Sequence, residues 1–97
     1  MSKSELKLNL SVTILREGDR FVAYSPSLDL ATSGKTFKNA RERFAEATLL
    51  FFEELKKQGT TEEALKSLGW QKKQQKAWQP PIVVSHESTT ISVPLSV

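Results

Sequence analysis

His86 is the single histidine of the chain, and cysteine does not occur. A lone imidazole can serve as a general base or donate one metal bond, but a zinc site needs three or four ligands of this kind. The dipeptide His86-Glu87 has no second histidine four positions on, so it does not extend to a metalloprotease helix. Serines are plentiful, yet none sits in a strand-to-helix elbow of the kind that exposes a nucleophile. Two-metal phosphodiester cleavage needs several acids gathered on adjacent strands. The acids near strand-like segments are Asp29, with Asp19 in a turn and Glu5 and Glu87 at strand margins. One strand acid cannot hold two magnesium ions. Gly18, Gly34, Gly59 and Gly69 stand apart from one another and form no phosphate-cradling loop. The expectation is a protein without catalytic residues, metal ligands or cofactor, and therefore not an enzyme.

The elements that would have to position any site can be read from periodicity. Leu6, Leu8, Leu10, Val12 and Ile14 alternate with Lys7, Asn9, Ser11 and Thr13, which predicts a half-buried strand with one wet face. Arg16 to Arg20 reads as a turn around Gly18, and Phe21–Ser25 as the return strand, ended by Pro26. Leu28–Lys35 is a short third strand. Thr36 is suited to cap a long helix from Phe37. On that helix Phe37, Ala40, Phe44, Ala47, Thr48, Phe51 and Leu55 share one face, widened by Ala45, Leu49 and Phe52. Leu50 is an apolar residue on the polar side. Gly59 closes the helix, Thr60 and Glu63 have the spacing of a capping box, and a short second helix runs through Leu68 to Gly69. Ile82–Val84 and Thr90–Leu95 alternate as strand segments, with Pro94 restricting the last to an edge or an end. The predicted class is α+β: an antiparallel sheet of three to four strands with one long and one short helix on one face.

At 97 residues the chain has the length of one domain, and 38% hydrophobic with 26% charged residues is a globular balance. Lys72, Lys73 and Lys76 lie in the acid-free segment 71–81, QKKQQKAWQPP, and account for the whole net charge of +3. Two readings of that segment stay open: a solvated internal linker, or an anion-contacting strap in which Trp70 and Trp78 stack on bases. The N-terminus has too short an apolar run for a signal peptide, and no segment reaches membrane-spanning length. A cytoplasmic protein with no membrane association is expected.

The run Phe21-Val22-Ala23-Tyr24-Ser25-Pro26, then Leu28-Asp29-Leu30, then Ser33-Gly34-Lys35-Thr36, resembles the signature of HicB-type antitoxins. In that family an F-V-A-Y-x-P strand leads through a short strand to G-[DK]-T and a long helix. The likeness covers roughly residues 12–59, and residues 60–70 with the closing ISVP resemble the family more loosely. It implies a partial ribonuclease H-like fold without nuclease chemistry. It also implies a role in binding and neutralising a HicA-type mRNA-cleaving toxin by masking its active site, and assembly as a homodimer or tetramer. Many family members add a DNA-binding domain that represses their own operon; with the sequence ending at Val97, direct DNA binding is not expected here. The family habit of acids in the first helical turn is also absent, since Lys38, Asn39 and Arg41 stand there. Cations at a helix N-terminus oppose its dipole by about 0.3–1 kcal/mol each, and they weaken attraction to a basic partner.

For a protein partner the candidate contacts are Tyr24 and Pro26 at the end of the hairpin, Lys38, Arg41 and Glu42 at the start of the helix, and Ile91 and Val93 on the terminal strand, which could add to a sheet edge. The competing functions are a stand-alone nucleic-acid-binding module, which would use Trp70, Lys72, Lys73, Lys76 and Trp78, and an orphan interaction domain with another protein partner.

Overall fold

The computed structural model describes residues 8–74 and 77–96. Among the residues with a predicted place or role, Glu5, Leu6, Lys7 and Lys76 lie outside the described residues. The order is three strands, two helices and a small hairpin: β1 (Thr13–Glu17), β2 (Arg20–Ser25), β3 (Leu30–Gly34), α1 (Phe37–Gln58), α2 (Thr61–Ser67), β4 (Gln71–Lys73) and β5 (Ala77–Gln79). The class is α+β, with an antiparallel sheet in the order β1-β2-β3 and a separate two-stranded ribbon, β4-β5. No helix among the described residues is long and apolar enough to cross a membrane.

The β1–β2 register, with Glu17 opposite Arg20, leaves only Gly18 and Asp19 in the turn. Gly18 takes φ +61, which a two-residue hairpin turn demands at its first position. This corrects the expected first strand. β1 begins at Thr13 rather than near Leu6, because the tight turn carries the ladder through Leu15 and Arg16. Leu8 and Leu10 still pack against the core, but from outside the ladder.

Pairing in β2–β3 sets Ala23 opposite Thr32 and Phe21 opposite Gly34. Strand alternation therefore puts Ile14, Phe21, Ala23 and Leu30 on the face that meets α1, and Thr13, Leu15, Val22, Tyr24 and Ala31 on the other. The first set packs with Ala40 and Phe44. Glycine at position 34 is a packing requirement: a Cβ there would stand 2.6 Å from the backbone nitrogen of Ala40. With no side chain in the way, the first turn of α1 presses directly onto β3.

Both ends of α1 are closed as their residues suggest. The Thr36 hydroxyl accepts from the Asn39 N–H at 2.9 Å, and the Asn39 carboxamide oxygen accepts from the Lys35 N–H at 3.1 Å. At the far end Gly59 is left-handed with φ 69, and the Thr60 N–H reaches back to the Leu55 carbonyl at 3.0 Å. That second bond explains why the expected capping box at Thr60 does not form. Thr60 finishes α1 with φ −113 and ψ 14, outside the extended conformation an N-cap needs, and its hydroxyl makes no capping bond. Along α1, Ala40 and Phe44 are buried, while Phe37, Leu49 and Leu50 are all more than half exposed. The apolar stripe is thus narrower than the wheel suggests.

A second cluster closes the end of the sheet, where Leu28, Leu65 and Trp70 are buried against Leu30, Phe51, Phe52 and Leu68. Segment 71–81 is not a bare linker: Lys72 pairs with Trp78 in the β4–β5 ribbon. The strands expected at Ile82–Val84 and Thr90–Leu95 do not form. Residues 80–96 lie outside any helix or strand, and residues 81–96 are exposed throughout. Pro80 and Pro81 supply no N–H for a ladder at its start, and no neighbouring edge within the described chain pairs with residues 82–96.

Candidate partner interface

Tyr24 is the last residue but one of β2 and points away from α1. Its hydroxyl donates to Asp29 Oδ1 at 3.0 Å. Asp29 itself takes φ 49, a left-handed conformation that aspartate tolerates better than most side chains, at the end of the turn that Pro26 begins. The hydrogen bond to Asp29, then lost hydration, then the charge of the carboxylate raise the Tyr24 pKa above its ordinary value. The hydrogen bond orients the phenol across the turn.

Tyr24 and Pro26 line an open groove of about 440 Å³ together with Val12, Thr13, Val83 and His86. Val12 also lines a second groove, of about 390 Å³, together with Phe37, Arg41 and Phe44. There the Arg41 guanidinium lies 5.8 Å from the Phe37 ring centroid, a cation–π contact. Val12 is thus a ridge between the two grooves at the leading end of β1. It borders both the groove of Tyr24 and Pro26 and the groove of Arg41, which lie on opposite sides of the sheet. Tyrosine and arginine are among the side chains that most often anchor protein interfaces.

The remaining candidates are dispersed. Lys38 and Glu42 are exposed on the first turns of α1 and line neither groove. Ile91 and Val93 are 73% and 65% exposed, in a segment outside any strand. Val12 and Asp29 are not singled out for partner contact by sequence pattern. Val12 matches the buried phase of an alternation that only later becomes ladder, and an isolated aspartate in a strand margin gives no sign of a tyrosine partner.

The nucleic-acid candidates do not assemble as expected. Trp70 is only 3% exposed, and its Nε1–H donates to the Ser27 carbonyl at 2.8 Å. Its ring stands edge-on to Phe52, so it is a core residue and offers no face for a base. Trp78 is half-buried against the second cluster. Lys72 Nζ lies 5.6 Å from the Trp78 ring centroid. Lys72 and Lys73 are exposed. Among the described residues, no group of three or more histidine, aspartate or glutamate side chains is placed to share a metal ion.

The fold defines a small α+β domain with no helix on one sheet face and with shallow surface grooves. No family model, curated protein sequence or solved structure matches the chain.

Proposed function

We propose that this chain is a HicB-like antitoxin, a cytoplasmic protein without enzymatic activity that neutralises a HicA-type mRNA-cleaving toxin by covering its active site. The observation that carries the reading is the F-V-A-Y-S-P strand itself: it ends in Tyr24 and Pro26 on the rim of an open groove, with the Tyr24 hydroxyl fixed by Asp29. The strand, strand, helix order around it agrees with the partial ribonuclease H-like architecture that the signature implies.

Charge favours the Tyr24 side of the sheet as the toxin contact. The first turn of α1 carries no acid, so a basic toxin gains nothing there. The face bearing Thr13, Leu15, Val22 and Tyr24 carries no helix, and its strand charges, Glu17 and Arg20, sit at the turn end away from Tyr24, which suits a desolvated interface centre. The nucleic-acid-module reading is weaker, because one of its two stacking rings is buried and hydrogen-bonded.

The proposal predicts that a short basic protein is encoded beside this chain's gene, and the test is co-expression with that protein. The chain is expected to relieve that protein's toxicity and to co-purify with it, while Tyr24→Ala restores toxicity without unfolding the antitoxin. Unrelieved toxicity in the presence of the folded wild-type chain would refute the proposal.

A further inference from the structure

The outer edge of β3 is bordered by positive charge that the chain itself does not neutralise. Among the described residues no strand pairs with that edge, so N–H and C=O groups along Leu30–Gly34 alternate outward. A groove of about 320 Å³ lies against it. Arg20, Thr32 and Ser33 line the groove from the sheet, and Arg43, Glu46, Ala47 and Leu50 line it from α1.

The two guanidiniums come from opposite faces of the sheet. Phe21 packs toward α1, so strand alternation turns its neighbour Arg20 to the face without a helix. There the Arg20 Nη2 donates to Ser33 Oγ at 3.3 Å. Arg43 stands on α1, one turn before Ala47 and two before Leu50. Neither arginine is in an ion pair: among the described residues the one salt bridge joins Lys66 and Glu62. Glu46 is the single carboxylate in the groove, against two arginines. The Thr32 hydroxyl is buried without a hydrogen-bond partner, and Leu50 is 63% exposed.

We infer that the β3 edge receives an extended acidic segment of another protein, added as a fourth strand, with neighbouring carboxylates on Arg20 and Arg43. Successive residues of a strand face opposite sides, so two adjacent acids meet one arginine each. A residue two positions on from the acid at Arg43 returns to the helix side, where Ala47 and Leu50 offer an apolar seat. Backbone addition supplies affinity in this mode and the side chains on either face supply selectivity.

A peptide suits the edge better than a phosphate-bearing polymer. Alternating N–H and C=O groups complement another backbone, whereas the carbonyls and Glu46 repel a polyanion. Neither this chain nor a second copy supplies the segment. Its adjacent acids, Glu53-Glu54 and Glu62-Glu63, lie inside α1 and α2. The exposed run after Pro81 carries Glu87 alone and begins beside Ser11 and Thr13, on the β1 side of the sheet. The site shares no residue with the Tyr24 groove, and an acidic partner differs from a basic toxin, so the inference stands apart from the antitoxin reading.

Fluorescence anisotropy of the full chain with a labelled synthetic peptide, TVTDEVTV, tests it. The peptide should bind, and more weakly as salt is raised. Arg20→Glu and Arg43→Glu change exposed residues and should leave the circular dichroism unchanged, yet each should weaken binding about tenfold or more. The counterpart TVTKKVTV should not bind. N-methylation of alternate peptide residues should abolish binding in one phase and spare it in the other, because only one edge of an added strand faces β3. No binding at millimolar peptide overturns the inference. So does indifference to both arginine variants, equal binding of the lysine peptide, no difference between the N-methylation phases, or tighter binding of oligodeoxythymidylate through the same arginines.

Discussion

The unit Thr13–Gly59 and the run Pro81–Ser96 both contain apolar residues alternating with polar ones, but only in the first does a short connection give each alternating stretch a paired neighbour. The Gly18-Asp19 turn and the Pro26–Asp29 turn hand β1 to β2 and β2 to β3 within a few residues. After Trp70 the comparable device is the turn of the β4–β5 ribbon, where Gln74 takes φ 52. Beyond Pro81 the alternation persists, but no strand of the described chain pairs with it. Alternating composition thus becomes a strand here where a short connection supplies the neighbour; elsewhere the same residues stay exposed.

The contrast between the two regions is most exposed to disproof in the packed unit. Phe44→Ala removes the largest ring buried between α1 and the sheet and should cost about 3–5 kcal/mol of unfolding free energy, read by urea denaturation. A loss under about 1 kcal/mol would mean that the sheet–helix unit is not the stability centre. At the boundary between the regions, Trp70→Phe keeps most of the apolar bulk but leaves the Ser27 carbonyl without its donor. It should cost about 1–3 kcal/mol, which would assign Trp70 to the folded unit; a neutral result would assign it to the run of chain after it.

A subtler effect is confined to the turn after β2. Tyr24 is the only tyrosine, so the ultraviolet absorbance of its phenolate reports its titration alone. Its pKa is raised in the folded chain, so the bond to Asp29 stabilises the fold below the pKa of the unfolded chain, and this contribution is lost as pH rises through the folded value. The midpoint should lie above that of the urea-unfolded chain, and Asp29→Asn should bring it down. No difference between the folded and unfolded midpoints would show that the two side chains do not hold one another in solution.

The sheet and the long helix are legible in the sequence because their signals are local. Thr36 and Gly59 mark the helix ends within a residue or two of the turns they close, and the period of two in Phe21–Ser25 is bounded by Pro26. The illegible parts depend on distant partners. Trp70 stays open to a stacking role in the sequence until Ser27, far back in the chain, proves to accept its indole N–H. Leu8 and Leu10 keep strand phase without joining a ladder, so alternation alone puts the first strand several residues early. That Val12 lines both the groove of Tyr24 and the groove of Arg41 depends on how α1 crosses the sheet, which no spacing in the chain specifies.

Whether this surface works by covering another protein's active site can be decided by titrating the purified chain into an RNA-cleavage assay of a HicA-type toxin, which the proposal expects to be encoded beside its gene. Cleavage should fall linearly to zero at a fixed stoichiometry, and Tyr24→Ala should shift the curve to higher concentration. Undiminished cleavage at saturating antitoxin, with the chain demonstrably folded, would contradict it.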